Sequence, residues 1–149
     1  MRKEQGFTLV EILIILALIA IVSMAIVPKI GMKGFKSIAD ADSFISYARY
    51  AQQESMVTGN NWRIIINSGA KQYILDNDSD DKNSLPRIPG GDNPVSVNTS
   101  ISSTMNEFYF DYLGRPVTAS NSLITTEIKI NIDSQIIIIE PYSGGIYEQ

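Results

Sequence analysis

Apolar residues run from Ile12 to Val27 with one interruption, Ser23. Extended back to Phe7, the stretch holds 21 residues, with Thr8 and Glu11 the other polar positions. As a helix rising about 1.5 Å per residue, it reaches roughly 31 Å, the depth of a bilayer's hydrocarbon core. A secretory signal has a shorter apolar run, about 7–15 residues, and a small-residue cleavage site after it. This run is longer and ends at Pro28. The pattern predicts a membrane span or a helix buried in an assembly.

The periodicity then changes. Pro28 lacks an N–H and predicts a kink, and Gly31 and Gly34 weaken any helix around them. Regular helix is expected from about Ser37. Ile38, Ala41, Ile45, Ala48 and Gln52 recur every three or four positions, flanked by Phe44 and Tyr47. That stripe predicts a helix lying on a sheet. Gly59 with Asn60 and Asn61 marks its end.

Beyond Asn61 the period becomes two. Trp62 to Asn67 and Lys71 to Asp76 predict a hairpin around Ser68-Gly69-Ala70. Residues 76–94 form a polar loop holding three prolines and two glycines. Val95 to Ile101 and Glu107 to Tyr112 predict further strands, the second ending at Leu113-Gly114-Arg115-Pro116. Leu123 to Ile132 alternates, so one face is buried. Gln135 to Glu140 carries four consecutive isoleucines, as in a strand covered on both faces. Asp133-Ser134 joins these two tightly, and "EPYSGGIY", residues 140–147, is expected to add a final edge strand. Together these elements predict an α+β domain, one long helix against antiparallel strands.

Composition narrows the chemistry. The 149 residues carry a net charge of −4, with no cysteine and no histidine. Disulfides, thiol nucleophiles and histidine-based acid–base or metal sites are excluded. An acidic chain is a poor partner for phosphate backbones. After the apolar run about 120 residues remain, enough for one domain with its own core.

Glu11 is the anomaly. It sits five residues into the apolar zone, with no lysine or arginine inside the span to pair with it. One reading places it at headgroup level, in reach of water. The other follows from the cost of a charge in hydrocarbon: an intramembrane carboxylate marks function and needs a cation from elsewhere. Orientation is open on charge alone, because Arg2 and Lys3 precede the span and Lys29, Lys33 and Lys36 follow it.

Lys3-Glu4-Gln5-Gly6, then Phe7-Thr8-Leu9-Val10-Glu11 and an apolar run, resembles the class III signal of type IV pilins and type II secretion pseudopilins. The resemblance implies a six-residue leader (1–6), cut after Gly6 by a prepilin peptidase that N-methylates Phe7. It implies a transmembrane and assembly helix over 7–28, kinked at Pro28, and a periplasmic pilin-like domain over 29–149 that includes the rest of the helix. The N-terminus would be cytoplasmic and the chain a single-pass inner-membrane protein. Its partners would be other pilin subunits and an inner-membrane assembly platform. No cofactor is implied. Cleavage exposes an α-amino group on Phe7, and a neighbouring subunit's amine would meet Glu11 and fix register, as one buried polar group does in a coiled coil. The segment "YARYAQQESMVTGNNWRIII" is similar to H-type pseudopilins and FimT-like minor pilins. "FYFDYLGRPV" and "IIIIEPYSGGIY" resemble late strand motifs of that group, with Ser143 where threonine is usual.

Other candidates are weaker. Asp76, Asp78 and Asp80 have the spacing of the first ligands of a calcium loop, but Asp81 stands where glycine belongs and Arg87 where the bidentate glutamate belongs. The calcium-hand reading fails. The family resemblance leaves a looser calcium loop there, beside the plainer reading of a solvated acidic loop. Arg49, Arg63, Arg87 and Arg115 form no basic run, and the tail "EPYSGGIYEQ" has no cation, which speaks against a DNA-binding minor pilin. The alternative from another class is a single-span protein with an outer ligand-binding domain. The expectation is a structural subunit and not an enzyme.

Overall fold

The computed structural model describes residues 8–26, 32–77 and 85–149. The chain divides into two compact units, residues 1–32 and 33–149. In the first, helix α1 covers Leu9–Ile26. Thr8 caps it: the Glu11 N–H donates to Thr8 Oγ1 at 3.3 Å and to the Thr8 carbonyl at 3.1 Å. This satisfies an amide that the first turn leaves without a helical partner. Pro28 and Gly31 lie outside the described residues, as does the expected kink.

The second unit is built on helix α2, Met32–Thr58. It begins earlier than the glycine pattern predicts, and Gly34 lies inside it. The buried stripe is Ser37, Ala41, Phe44, Ala48, Ala51 and Ser55. It is turned by part of a residue step from the expected one. Ile38 is 45% exposed and Ile45 only half-buried. The reason is closeness: alanine and serine let the helix axis approach the strands, and one large residue, Phe44, fills the gap against Tyr73. The serines are satisfied locally. Ser55 Oγ donates to the Ala51 carbonyl at 3.0 Å and accepts the Trp62 N–H at 3.1 Å. Gly59, at φ 75°, ends the helix, and its N–H returns to the Ser55 carbonyl at 2.9 Å.

Nine antiparallel strands follow among the described residues, in two sheets. The first has the order β3-β2-β1-β5-β6: β1 is Trp62–Asn67, β2 Gln72–Asn77, β3 Val95–Ser96, β5 Glu107–Phe110 and β6 Pro116–Val117. The second has the order β4-β7-β8-β9: β4 is Ile101–Ser103, β7 Ile128–Ile132, β8 Gln135–Ile139 and β9 Ile146–Glu148. The β1–β2 and β7–β8 hairpins fall where the sequence predicts them. Asp133, at φ 53°, makes the tight turn between Ile132 and Gln135. Of the four isoleucines, Ile137, Ile138 and Ile139 are buried, but Ile136 is exposed, so the strand is covered on both faces only over its second half, and β9 is the edge strand. The α+β class holds.

Two expected strands divide. Val95 to Ile101 becomes β3 in one sheet and the start of β4 in the other. Leu123 to Ile132 becomes β7 preceded by a connector, in which Leu123 bridges Val117 of the first sheet. Both segments carry the chain from one sheet to the other, so their alternation is real but serves two pairings. One core joins α2 to both sheets, with Phe44, Tyr73, Phe108, Phe110, Ile130 and Ile137 among its largest members.

Candidate assembly site and its supporting contacts

The sequence points to α1 as the functional element. From Leu9 to Val22 its large apolar side chains are all exposed, on every side of the helix. Leu9 is 77% and Ile21 67% accessible. Its polar groups are settled within the helix. Ser23 Oγ donates to the Ile19 carbonyl at 2.7 Å, and Thr8 holds the first turn. Glu11, three residues after the cap, is exposed, and its charge suits the positive end of the helix dipole. A helix apolar all round belongs in a membrane or inside a helical assembly. Among the described residues, no helix is long and apolar enough to cross a membrane. The 18 residues of α1 reach about 27 Å against a core of roughly 30 Å. The predicted span extends beyond them at both ends. Gly6 and Phe7, the expected processing pair, lie outside the described residues, and so does Pro28.

The loop aspartates do not come together as a site. Asp76 in β2 is ion-paired with Arg63 of β1, whose other arm reaches Glu107 at 3.2 Å. Burial opposes the charge on Arg63, but the Asp76 bond outweighs it and holds the guanidinium above its ordinary pKa. Asp78 and Asp80 lie outside the described residues. Among the described residues, no group of three or more carboxylate, cysteine or histidine side chains is placed to hold a metal.

Of Arg49, Arg63, Arg87 and Arg115, three are engaged within the fold. Arg63 pairs as above, Arg115 with Asp111 at 2.7 Å, and Arg49 donates to the Ile146 carbonyl at 2.9 Å. The last contact ties α2 to the edge strand β9.

Several supporting residues carry no signal in a single sequence. Asp40, 7% exposed on α2, accepts from the Asn98 N–H and Nδ2 at 2.9 Å and from the Thr99 N–H and Oγ1 at 3.2 Å. It holds the crossover between the sheets against the helix. Gln52 Nε2 donates to the Gly114 carbonyl at 2.7 Å and the Gly144 carbonyl at 2.9 Å. The two glycine turns, one from each sheet, meet on this side chain. Gly144 sits at φ 70°, and a Cβ there would collide with the Gly114 carbonyl, so glycine is required. Asp111 organises the first of these turns. It accepts the Leu113 N–H at 3.0 Å, the Arg115 N–H at 2.8 Å and Arg115 Nε at 2.9 Å. Burial works against its charge, yet Arg115 and the two backbone donors prevail and hold its carboxyl below the ordinary value.

Residues 1–27 match the family described as the prokaryotic N-terminal methylation motif. No curated protein matches the sequence significantly. Among solved structures, the chain resembles EpsH, a minor pseudopilin of the type 2 secretion system of Vibrio cholerae. That match has a TM-score of 0.58 and 11% identity, and covers 76% of this chain and 96% of the other. It also resembles FimU, a type IV minor pilin of Pseudomonas aeruginosa strain PAO1, with a TM-score of 0.52 and 12% identity over 79% of this chain and 91% of the other. At such identities the likeness establishes the fold, and the fold is pilin-like. The N-terminal methylation motif and this fold together support the type IV pilin and pseudopilin family.

Proposed function

We propose that this chain is a pseudopilin or minor pilin, a structural subunit of a type II secretion pseudopilus or a type IV pilus. The observation that carries the reading is α1. It is an apolar helix without a covered face, bearing one carboxylate in its first turn, and it is joined to a methylation motif and a separately packed pilin-like unit. Such a helix has no use for its surface within its own chain. The reading gives it two successive environments, the inner membrane and then the helical interior of a fibre.

In this reading a prepilin peptidase cuts between Gly6 and Phe7 and methylates the new terminus. Glu11 of one subunit then accepts the α-ammonium at Phe7 of a neighbour. An unpaired carboxylate in a low-dielectric bundle is costly and a paired one is tolerable, so this charge selects one axial offset. Residues after the span lie in the periplasm, and Pro28 relieves the helix where it leaves the membrane. The assembly platform of the inner membrane and other pilins are the partners. The domain fixes contacts between subunits and catalyses nothing.

Intact-mass measurement of the membrane-extracted protein tests the processing. A chain beginning at N-methylated Phe7 is the expected result. A chain retaining Met1 in a cell with an active prepilin peptidase contradicts it.

A further inference from the structure

Residues 85–94 cross from the edge of β2 toward α2 and back to β3. Two anchors hold this strap. Ile88 is buried in the core at 6% exposure. Asn93 replaces a missing strand rung: its Oδ1 accepts the Leu75 N–H at 3.2 Å, and its Nδ2 donates to the Leu75 carbonyl at 2.6 Å and the Pro86 carbonyl at 3.0 Å. The packing around the anchors is open. A cavity of about 270 Å³ lies within the strap, lined by residues 85–88 and 91–93. A second, of about 160 Å³, separates Pro89 from Ser46, Tyr47 and Tyr50 of α2.

Beneath the strap lies an unsatisfied group. A Cβ at Gly91 would collide with the Tyr47 hydroxyl, so the strap runs close over it, and the Tyr47 ring packs against that of Tyr73 with centroids 6.3 Å apart. Tyr73 is 1% exposed, and among the described residues its hydroxyl has no protein hydrogen-bond partner. A buried hydroxyl without a partner favours any state that lets water reach it.

We infer that the strap opens as a unit of its own, well short of global unfolding, and that the unpartnered Tyr73 hydroxyl sets how often it opens. Opening withdraws Ile88, breaks the Asn93 rung and uncovers an aromatic floor of Phe44, Tyr47 and Tyr73. The closed state leaves the Tyr73 hydroxyl without a protein partner among the described residues. Local openings of this kind are the low-energy end of a protein's motions.

The Leu75 amide reports the event, because its partner is the Asn93 side chain and not a neighbouring strand. Native-state hydrogen exchange on the full-length protein in detergent is the test. Leu75 should exchange faster than the amides of β7 and β8. Tyr73→Phe removes the hydroxyl and keeps the ring, and it should slow Leu75 exchange by roughly tenfold while leaving β7 and β8 unchanged. Ile88→Ala should accelerate Leu75 and spare β7 and β8. Leu75 exchange that is unchanged or faster in Tyr73→Phe overturns the inference. So does an equal change in β7 and β8 with either variant, since the strap would then not be a separate unit.

Discussion

The two helices of this chain obey opposite rules. On α2, a narrow stripe of alanine, serine and one phenylalanine is buried, and the opposite side mixes charged, polar and scattered apolar residues such as Ile38 and Val57. On α1, the large apolar side chains from Leu9 to Val22 surround the axis and all are exposed. Every polar anchor of the globular unit has a named partner inside the fold: Asp40 with Asn98 and Thr99, Gln52 with two glycine turns, Asp111 with Arg115. The one carboxylate of α1 has no such partner among the described residues. A helix written for its own sheet and a helix written for something outside the chain are thus distinguishable by what each leaves bare.

The contrast predicts unequal responses to equal damage. Phe44→Ala removes the large side chain of α2 that is fully buried against the sheet and should cost about 3–5 kcal/mol. Leu13→Ala on α1 should change the stability of the globular unit by less than about 0.5 kcal/mol. Denaturant titration of both variants measures the difference. Similar losses would mean that α1 is part of the folded core. Asp40→Ala comes next. It strands the Asn98 and Thr99 amides under the helix and should cost about 2 kcal/mol by the same titration. A cost near zero would mean that the crossover is held by the strands alone.

The smallest effect is in pH. Asp111 titrates below its ordinary value of 3.8 in the folded state. The folded state therefore binds this proton less readily than the unfolded chain. The stability it contributes is complete above the unfolded pKa and fades as pH falls through that value toward the folded one. Asp111→Asn should lower stability at neutral pH and flatten this part of the acid limb. A limb of unchanged slope would show that the Arg115 pair does not govern it.

The same contrast explains what was legible in the sequence. The apolar run, the Gly59 stop and the β7–β8 hairpin are local, and periodicity and turn chemistry reveal them. The stripe on α2 was read by hydrophobicity, which selects Ile38. Packing selects Ser37, because a small side chain permits the closer approach. The strands at 95–101 and 123–132 look continuous because alternation does not record which sheet is the partner. Asp40 looks like a surface residue until the loop it holds is in place, and Gln52, though on the expected stripe, gives no sign of the two turns it joins. At the site itself, Glu11 stood out because a charge in an apolar run is a local anomaly. The partner proposed for it lies on another subunit and leaves no trace in one chain.

Glu11→Leu tests the assembly claim most directly. The account predicts that the variant enters the membrane, is processed at Gly6 and folds its globular unit normally, yet is absent from sheared or purified fibres. Incorporation at the wild-type level would contradict the pairing of Glu11 with a neighbouring terminus.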